Sequence, residues 1–430
     1  MATLLTSTPP QQIAERPSQR DTPTAAPMPR EKPARLVSLD AYRGAIMLFM
    51  ASGGLALPQV AKQFPESPIW RFLAFNTDHV SWVGCSLWDL IQPSFMFMVG
   101  VSMPYSIASR RARGDSEPRI FAHVLYRAVF LVLLAIFLSS NGVQYKQTEF
   151  VFTNVLAQIG LGYAFLYLLL GRGMRAQLAA LALVLIGYWL WFLFAPLIDA
   201  EDGEFRNWFF ANWNKHSNAA AKFDRWFLNL FPRATPYTIN DGGYQTLNFI
   251  PSLGTMILGL MAGEMLRTSR SKWRKLGWLL AAGALCLALG WLAGEFLCPI
   301  VKRIWTPSWT LYSAGWTFAM LAGFFWIIDI QGWKHWAFPL IVVGMNSIAM
   351  YCMAQLMKGW IAQSLQKHLG PLALPSLTYI VKPVLGWMNV AVDPLWLNNT
   401  FGPIVQSTAV LFVLWLICLW MYRRGVFLRI

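Results

Sequence analysis

The sequence predicts an all-α fold, a polytopic membrane helix bundle of about ten transmembrane helices with both termini cytoplasmic. Three observations predict it. First, 56% of residues are hydrophobic and only 13% charged, and mean hydropathy is +0.44; a water-facing domain carries roughly a quarter charged residues. Second, apolar runs of about 20 residues recur from Tyr42 onward, each long enough at about 1.5 Å per residue to cross a hydrocarbon layer about 30 Å thick. Third, the basic residues gather in short clusters between those runs, as topology signals do.

Taken in order, residues 1–36 are rich in Pro, Thr, Ala and Arg and hold no apolar stretch of signal-peptide length. They read as a disordered cytoplasmic tail, and 37–430 as one transmembrane domain. The apolar stretches lie near 42–61, 87–107, 121–140, 151–170, 177–197, 247–266, 276–297, 310–329, 338–358 and 403–422. The second is unusual in carrying Asp89, Pro93 and Pro104. Lys and Arg set the orientation: RRAR at 110–113, Arg172 and Arg175, and RSKWRK at 270–275 occupy short connections that are cytoplasmic if the amino terminus is. The opposite face then receives three long loops, 62–86, 198–246 and 359–402, where function tends to sit on a rigid scaffold. Loop 198–246 is rich in aromatics, which suit either an interfacial belt or a platform for sugar rings. No internal repeat of the kind that marks many secondary transporters stands out.

The net charge of +15 is dispersed among these topology clusters, so nucleic acid is excluded as a partner. The five cysteines form no CxxC pair, and no His/Asp/Glu cluster has ligand spacing, so no metal site is expected. Cys85 and Cys298 both fall near ends predicted to face the oxidising side, which leaves their pairing open.

Ionisable groups in spans cost about 2.5–3.5 kcal/mol each on insertion scales, so each calls for a partner or a function. Asp40 and Arg43 stand three residues apart at the start of the first span, the spacing at which carboxylate and guanidinium share a helix face. They read equally as an anchoring ion pair or as site residues. Asp89 opens the second span; Arg127, Glu264, Glu295 and Asp329 lie in or at the ends of others. Among the histidines, His79 is distinctive: it precedes a span, with Asp78, Ser81 and Trp82 beside it and Asp89 ten residues on. An imidazole there could take a proton or carry an acyl group near neutral pH, with a carboxylate fixing its tautomer.

The segments LVSLDAYRGAIMLFM (36–50) and DHVSWVGCSLWDLIQPSFMFMVGVS (78–102) resemble the heparan-α-glucosaminide N-acetyltransferase family of multispan membrane acetyltransferases. NVLAQIGLGY (154–163), IPSLGTMILGLMAGEML (250–266), CPIVKRIWTPSWTLYSAG (298–315) and GMNSIAMY (344–351) are similar to later motifs of that family, in order along residues 36–430. The resemblance implies transfer of acetyl from cytosolic acetyl-CoA to the amino group of a sugar on the far side of the bilayer. It places the active histidine in H-x-x-W-x-G, here His79, Trp82 and Gly84. CoA phosphates would be held at the cytoplasmic mouth by Arg172, Arg175 and Arg267, with Arg270, Lys272 and Arg274 nearby. Asn346, Ser347, Lys302 and Ser308 fall in the family-like motifs as candidate oxyanion donors or donor-substrate contacts. Asp40, Arg43 and Asp89 complete the candidate catalytic set, and a homodimer is the assembly the resemblance suggests.

The chain also departs from that family's pattern. Val83 stands where the family reads Asn, Ser52 stands at a position that is often Asn, and the segment before His79 is longer. The expected acceptor is therefore a cell-envelope amino sugar or other glycan outside a bacterial inner membrane, N-acetylation being favoured over O-acetylation. A transporter of a polar solute and an inactive scaffold of the same fold are the alternatives.

Overall fold

The computed structural model describes residues 36–142, 147–195, 209–370 and 394–428. The amino-terminal tail expected over 1–36 therefore falls, save for Leu36, outside the described residues, as do 196–208 and 371–393 in two of the long loops. In chain order run α1 (Val37–Ser52), α2 (Leu57–Ala61), α3 (Pro68–Asn76), α4 (Ile91–Ala112), α5 (Glu117–Ser139), α6 (Val155–Leu169) and α7 (Met174–Phe194). They are followed by α8 (Ala219–Phe227), α9 (Phe249–Arg267), α10 (Lys272–Phe296), α11 (Pro307–Phe324), α12 (Phe338–Gly344), α13 (Ser347–Leu356) and α14 (Pro394–Arg423). Among the described residues there is no strand, only an isolated bridge between Val83 and Val301.

Among the described residues eight helices are long and apolar enough to cross a bilayer. α12 and α13 form a further apolar pair, bent by 67° at a short break, and α6, at 15 residues, is a shorter apolar helix. The ten apolar stretches of the sequence thus correspond to eight long spans, one bent pair and one short helix, and the chain is an integral membrane protein. At the bend Asn346 is buried, its backbone N–H donating to the Val343 carbonyl and its carbonyl accepting from Met350 N–H, while its side-chain amide ties the bend to the chain after α14, donating to the Val426 carbonyl at 3.2 Å and accepting from Leu428 N–H at 3.2 Å. Irregular backbone at such depth persists only where other protein groups pair with it.

The span built on α9 is 83% buried, whereas that on α14 is 22% buried, so α9 is the central post and α14 a lipid-facing one. Glycines allow α9 to approach α4 at backbone distance. A Cβ on Gly259 would strike the Phe97 carbonyl, and one on Gly263 the Val101 carbonyl. This small-xxx-small pairing lets dispersion hold two helices together where lipid supplies no hydrophobic drive. It also fixes the height of α4, which the turn carrying Asp89, Trp88–Leu90, leads into.

At the end of α1 the chain turns left-handed for four residues, with φ of 61° at Gly53, 70° at Gly54, 51° at Leu55 and 58° at Ala56. Each non-glycine there costs roughly 1–2 kcal/mol. The turn sends α2 and α3 across the end of the bundle, and a Cβ on Gly54 would lie 2.7 Å from the Thr77 carbonyl. Long connections thus gather at this end, and the short ones, 113–116, 170–173 and 268–271, at the other.

Gly259→Leu forces the α4 and α9 backbones apart. It is expected to lower stability in detergent by about 1–3 kcal/mol or more, read as an earlier midpoint in thermal unfolding, while Gly277→Leu, where an added Cβ meets nothing, leaves the midpoint unchanged.

Candidate active site

The segment SLWD opens α4 as a reciprocal capping box. Asp89 N–H donates to Ser86 Oγ at 3.3 Å, and Ser86 N–H donates to Asp89 Oδ2 at 3.2 Å. Val80 N–H also donates to Oδ2 at 3.2 Å. The Ser86 hydroxyl lies 2.9 Å from Oδ2 and 2.7 Å from the Asp78 carbonyl, its single proton serving one of them. The other oxygen, Oδ1, faces His79 Nδ1 at 2.7 Å and Lys302 Nζ at 3.2 Å. Lys302 Nζ is also 3.2 Å from His79 Nδ1. Asp89 and Lys302 are buried, with 1% and 5% of their side chains accessible, whereas the imidazole is 35% exposed.

Lys302 arrives from the turn between α10 and α11, which is stitched to the histidine loop. Gly84 N–H donates to the Ile300 carbonyl at 3.0 Å, Val83 bridges Val301, and Arg303 donates to the Val80 carbonyl at 3.2 Å and the Gly242 carbonyl at 2.8 Å. Thr306 closes the turn, its Oγ1 accepting from Val301 N–H at 3.1 Å and from Trp309 N–H at 3.3 Å as the cap of α11.

The chemistry follows from donors and charges. Lys302 has donors only. Burial pushes its ammonium down from the ordinary lysine range, and the adjoining Asp89 carboxylate pulls it back up. A carboxylate opposite Nδ1 selects the tautomer with the proton on Nδ1, which leaves the Nε2 lone pair free to take a proton or attack a carbonyl. The neighbouring thiol is no competitor: burial pushes Cys85 up to about 12, so it stays protonated and weakly nucleophilic. Cys85 and Cys298 do not pair; the Cys298 thiol instead lies 3.5 Å from Ser308 Oγ.

The aromatic loop after α7 forms a wall behind the motif. The Trp82 indole donates to the Trp213 carbonyl at 3.1 Å, and both rings are buried in a small core with Tyr188 and Phe192. Trp213 is therefore packing, not belt or sugar platform. Within this wall Asp224, on α8, accepts from Thr246 N–H at 2.9 Å, and burial pushes its carboxyl up to about 6.

Of the expected site residues, His79, Asp89 and Lys302 come together, and Ser308 lies in the adjoining buried turn, where its hydroxyl donates to the Pro299 carbonyl at 2.8 Å. Asp40, Arg43 and Asn346 do not join them. Asp40 pairs with Arg43 at 3.7 Å in the first turn of α1, and Arg43 donates to Ser102 Oγ. That is roughly 20 Å along the helix from the end beside Thr77. Asn346 sits at the same distant end, since the Asp40 carbonyl packs on Gly344. Arg172, Arg175 and Arg267 are exposed there too, with Arg267 donating to the Pro104 carbonyl at 2.9 Å. Ser86 and Arg303 are structural members of the site that sequence reasoning passed over; the S-x-x-D spacing was the available signal for Ser86.

The helical bundle is that of an integral membrane protein, and its half-open imidazole, backed by a buried carboxylate and ammonium, has the chemistry to exchange a proton or to attack a carbonyl. No protein-family model matches the chain. It is similar to the heparan-α-glucosaminide N-acetyltransferase of Homo sapiens, 24% identical over 363 residues that cover 74% of this chain and 52% of that protein. It is likewise 24% identical to the Mus musculus protein of that name over 386 residues, covering 78% and 56%. The chain, a distant relative of these acetyltransferases, spans about half the length of the curated proteins it matches.

Two measurements test this electrostatic arrangement. Asp89→Leu or Lys302→Met alone leaves one buried charge unpaired and is expected to cost about 3–5 kcal/mol, whereas the double variant recovers at least half of that in a double-mutant cycle. For Asp224, the folded carboxyl titrates near 6 and the unfolded one near about 3.9. The folded state thus holds more protons between those values, so this group's contribution to stability rises as pH falls through the window and is lost as pH rises through about 6. Asp224→Asn is expected to flatten the stability–pH curve between about pH 4 and 6 and to stabilise at pH 7 by at most about 3 kcal/mol.

Proposed function

We propose that the protein is a transmembrane acetyltransferase that takes acetyl from cytosolic acetyl-CoA and places it on the amino group of a sugar on the opposite side of a bacterial inner membrane. The observation that carries this reading is His79 Nδ1 held 2.7 Å from Asp89 with Nε2 left free, within the H-x-x-W-x-G motif at one end of the bundle. The similarity to two N-acetyltransferases supports it.

The amine of the acceptor attacks the thioester carbonyl, His79 Nε2 takes the proton that the amine sheds, and the departing thiolate receives that proton. Attack of Nε2 itself on the thioester, with acetyl passing through the ring, uses the same free lone pair. Asp89 holds the ring's orientation and offsets the charge that develops on it. Lys302 balances Asp89, so the resting cluster is neutral only while the imidazole is neutral. Arg172 and Arg175, exposed at the far end, are the contacts proposed for the CoA phosphates, as point charges and forks for an anion. Lys302, by contrast, serves the histidine and not the CoA phosphates, because it is buried against Asp89.

Purified protein incubated with labelled acetyl-CoA and a panel of amino sugars is expected to label a sugar. His79→Ala should reduce labelling by a factor of at least about 100, on the scale of a lost general base. Equal labelling by the variant would remove His79 from the reaction.

A further inference from the structure

The loop that delivers His79 carries an apolar face at the surface of the bundle. None of the nine residues of α3 is buried, and Ile69, Phe72 and Phe75 are 70%, 66% and 55% exposed at three-residue spacing, which sets them along one side of the helix. The other side is fixed. Trp70 stacks on Phe64 with centroids 5.5 Å apart and meets Phe401 at 6.2 Å. Phe401 is in the first turn of the span Asn399–Arg423. This contact sets α3 at the level where that span leaves the hydrocarbon, so lipid is what covers the free face, continuous with the lipid-facing surface of α14.

The same face runs into the site. The Thr77 hydroxyl donates to the Leu73 carbonyl at 2.7 Å to finish α3, and His79 follows two residues later. Asn76 Oδ1 accepts from Leu87 N–H at 3.3 Å and so joins the helix to the far side of the loop. Val83 and Leu87, in the same loop as His79, are also exposed. The exposed Asp78 and Ser81 beside the histidine in sequence offer polar groups to a sugar, and the free face of α3 offers branched and aromatic hydrocarbon to a chain attached to it.

We propose that the acceptor sugar is carried on a lipid, whose chain lies along Ile69, Phe72 and Phe75 while its headgroup presents the amine to His79. This rests on the acetyltransferase reading and names the class of its acceptor. The lipid anchor replaces a deep sugar cleft as the source of binding energy, and confinement to the membrane plane raises the local concentration of the amine at the ring.

The test uses the full chain in phosphatidylcholine proteoliposomes, with glucosaminyl-diacylglycerol and free glucosamine as parallel acceptors. A preference for the glycolipid of tenfold or more in kcat/KM is expected, and Phe72→Glu with Phe75→Glu should abolish the preference while the rate on free glucosamine stays unchanged. Phe72→Leu with Phe75→Leu should preserve it. Equal kcat/KM for the two acceptors, or an equal loss on both in the Glu variant, overturns the lipid-borne acceptor and leaves the acetyltransferase reading standing. A second arm is independent of turnover: a glucosaminyl-diacylglycerol with a diazirine in its acyl chain is crosslinked, and the α3 peptide should be labelled in competition with unlabelled glycolipid but not with added phosphatidylcholine. Crosslinking without transfer to any acceptor would sustain the lipid site and defeat the acetyltransferase reading. Labelling that phosphatidylcholine competes away equally would reduce α3 to an interfacial anchor and overturn the proposal.

Discussion

Asp89 is the constraint on which the His79 end of the molecule is built. A carboxylate taken out of water is tolerated only when its lone pairs are filled and its charge is met. Its partners come from the loop before α4 (His79, Val80, Ser86) and from the turn before α11 (Lys302). Satisfying one buried charge therefore fixes two segments more than 200 residues apart in the chain. The bridge between Val83 and Val301 and the reach of Arg303 to Val80 and Gly242 follow from that juxtaposition. The height of the charge is set in turn by the glycine contact between α4 and α9, which is insensitive to pH and charge. Packing places the carboxylate, and the carboxylate places the histidine.

The bundle divides its polar groups between two ends with different duties. At the end away from His79 the ionisable groups tie helices to each other: Ser38 N–H donates to Asp329 at 3.3 Å, Lys272 donates to the Asp329 carbonyl at 2.6 Å, and Glu264 accepts from Gly171 N–H at 2.8 Å and from Gln177 at 3.0 Å. At the same end Asp40 pairs with Arg43, and Arg43 ties α1 to α4 through Ser102, which accounts for their three-residue spacing. At the His79 end the buried charges converge on one ring that is still open. Charge buried for cohesion is fully enclosed or fully paired; charge backing a reactive group must leave one atom free, and here that atom is Nε2.

Much of this was legible in the sequence because hydropathy and positive-charge clusters are local signals. The ten apolar stretches, the short and long connections, and the pairing of His79 with Asp89 ten residues on could all be read along the chain. Lys302 could be placed near the site by its motif but not in its role, since an ion pair across 213 residues leaves no spacing to read. The break at Asn346 was equally silent, because an apolar run from Phe338 to Leu356 does not say where its backbone bends. The aromatic loop misled for a physical reason: composition registers Trp213 and Phe210 as apolar rings, and only the fold decides whether such rings face lipid, sugar or one another.

Val83 shows how a site can change its surroundings without changing its frame. Position 83 contributes to the architecture through backbone, in the bridge to Val301, while its side chain is exposed. The bridge is indifferent to the side chain. An amide there would add a donor and an acceptor to the exposed loop, whereas valine adds two methyl groups. The carboxylate, the ammonium and the imidazole are untouched by that exchange, so the reacting groups stay the same while the neighbourhood they offer a substrate becomes more hydrocarbon-like. On the proposed reading, chemistry and acceptor choice are separable in this fold: the first is held by buried charge, the second by the exposed rim.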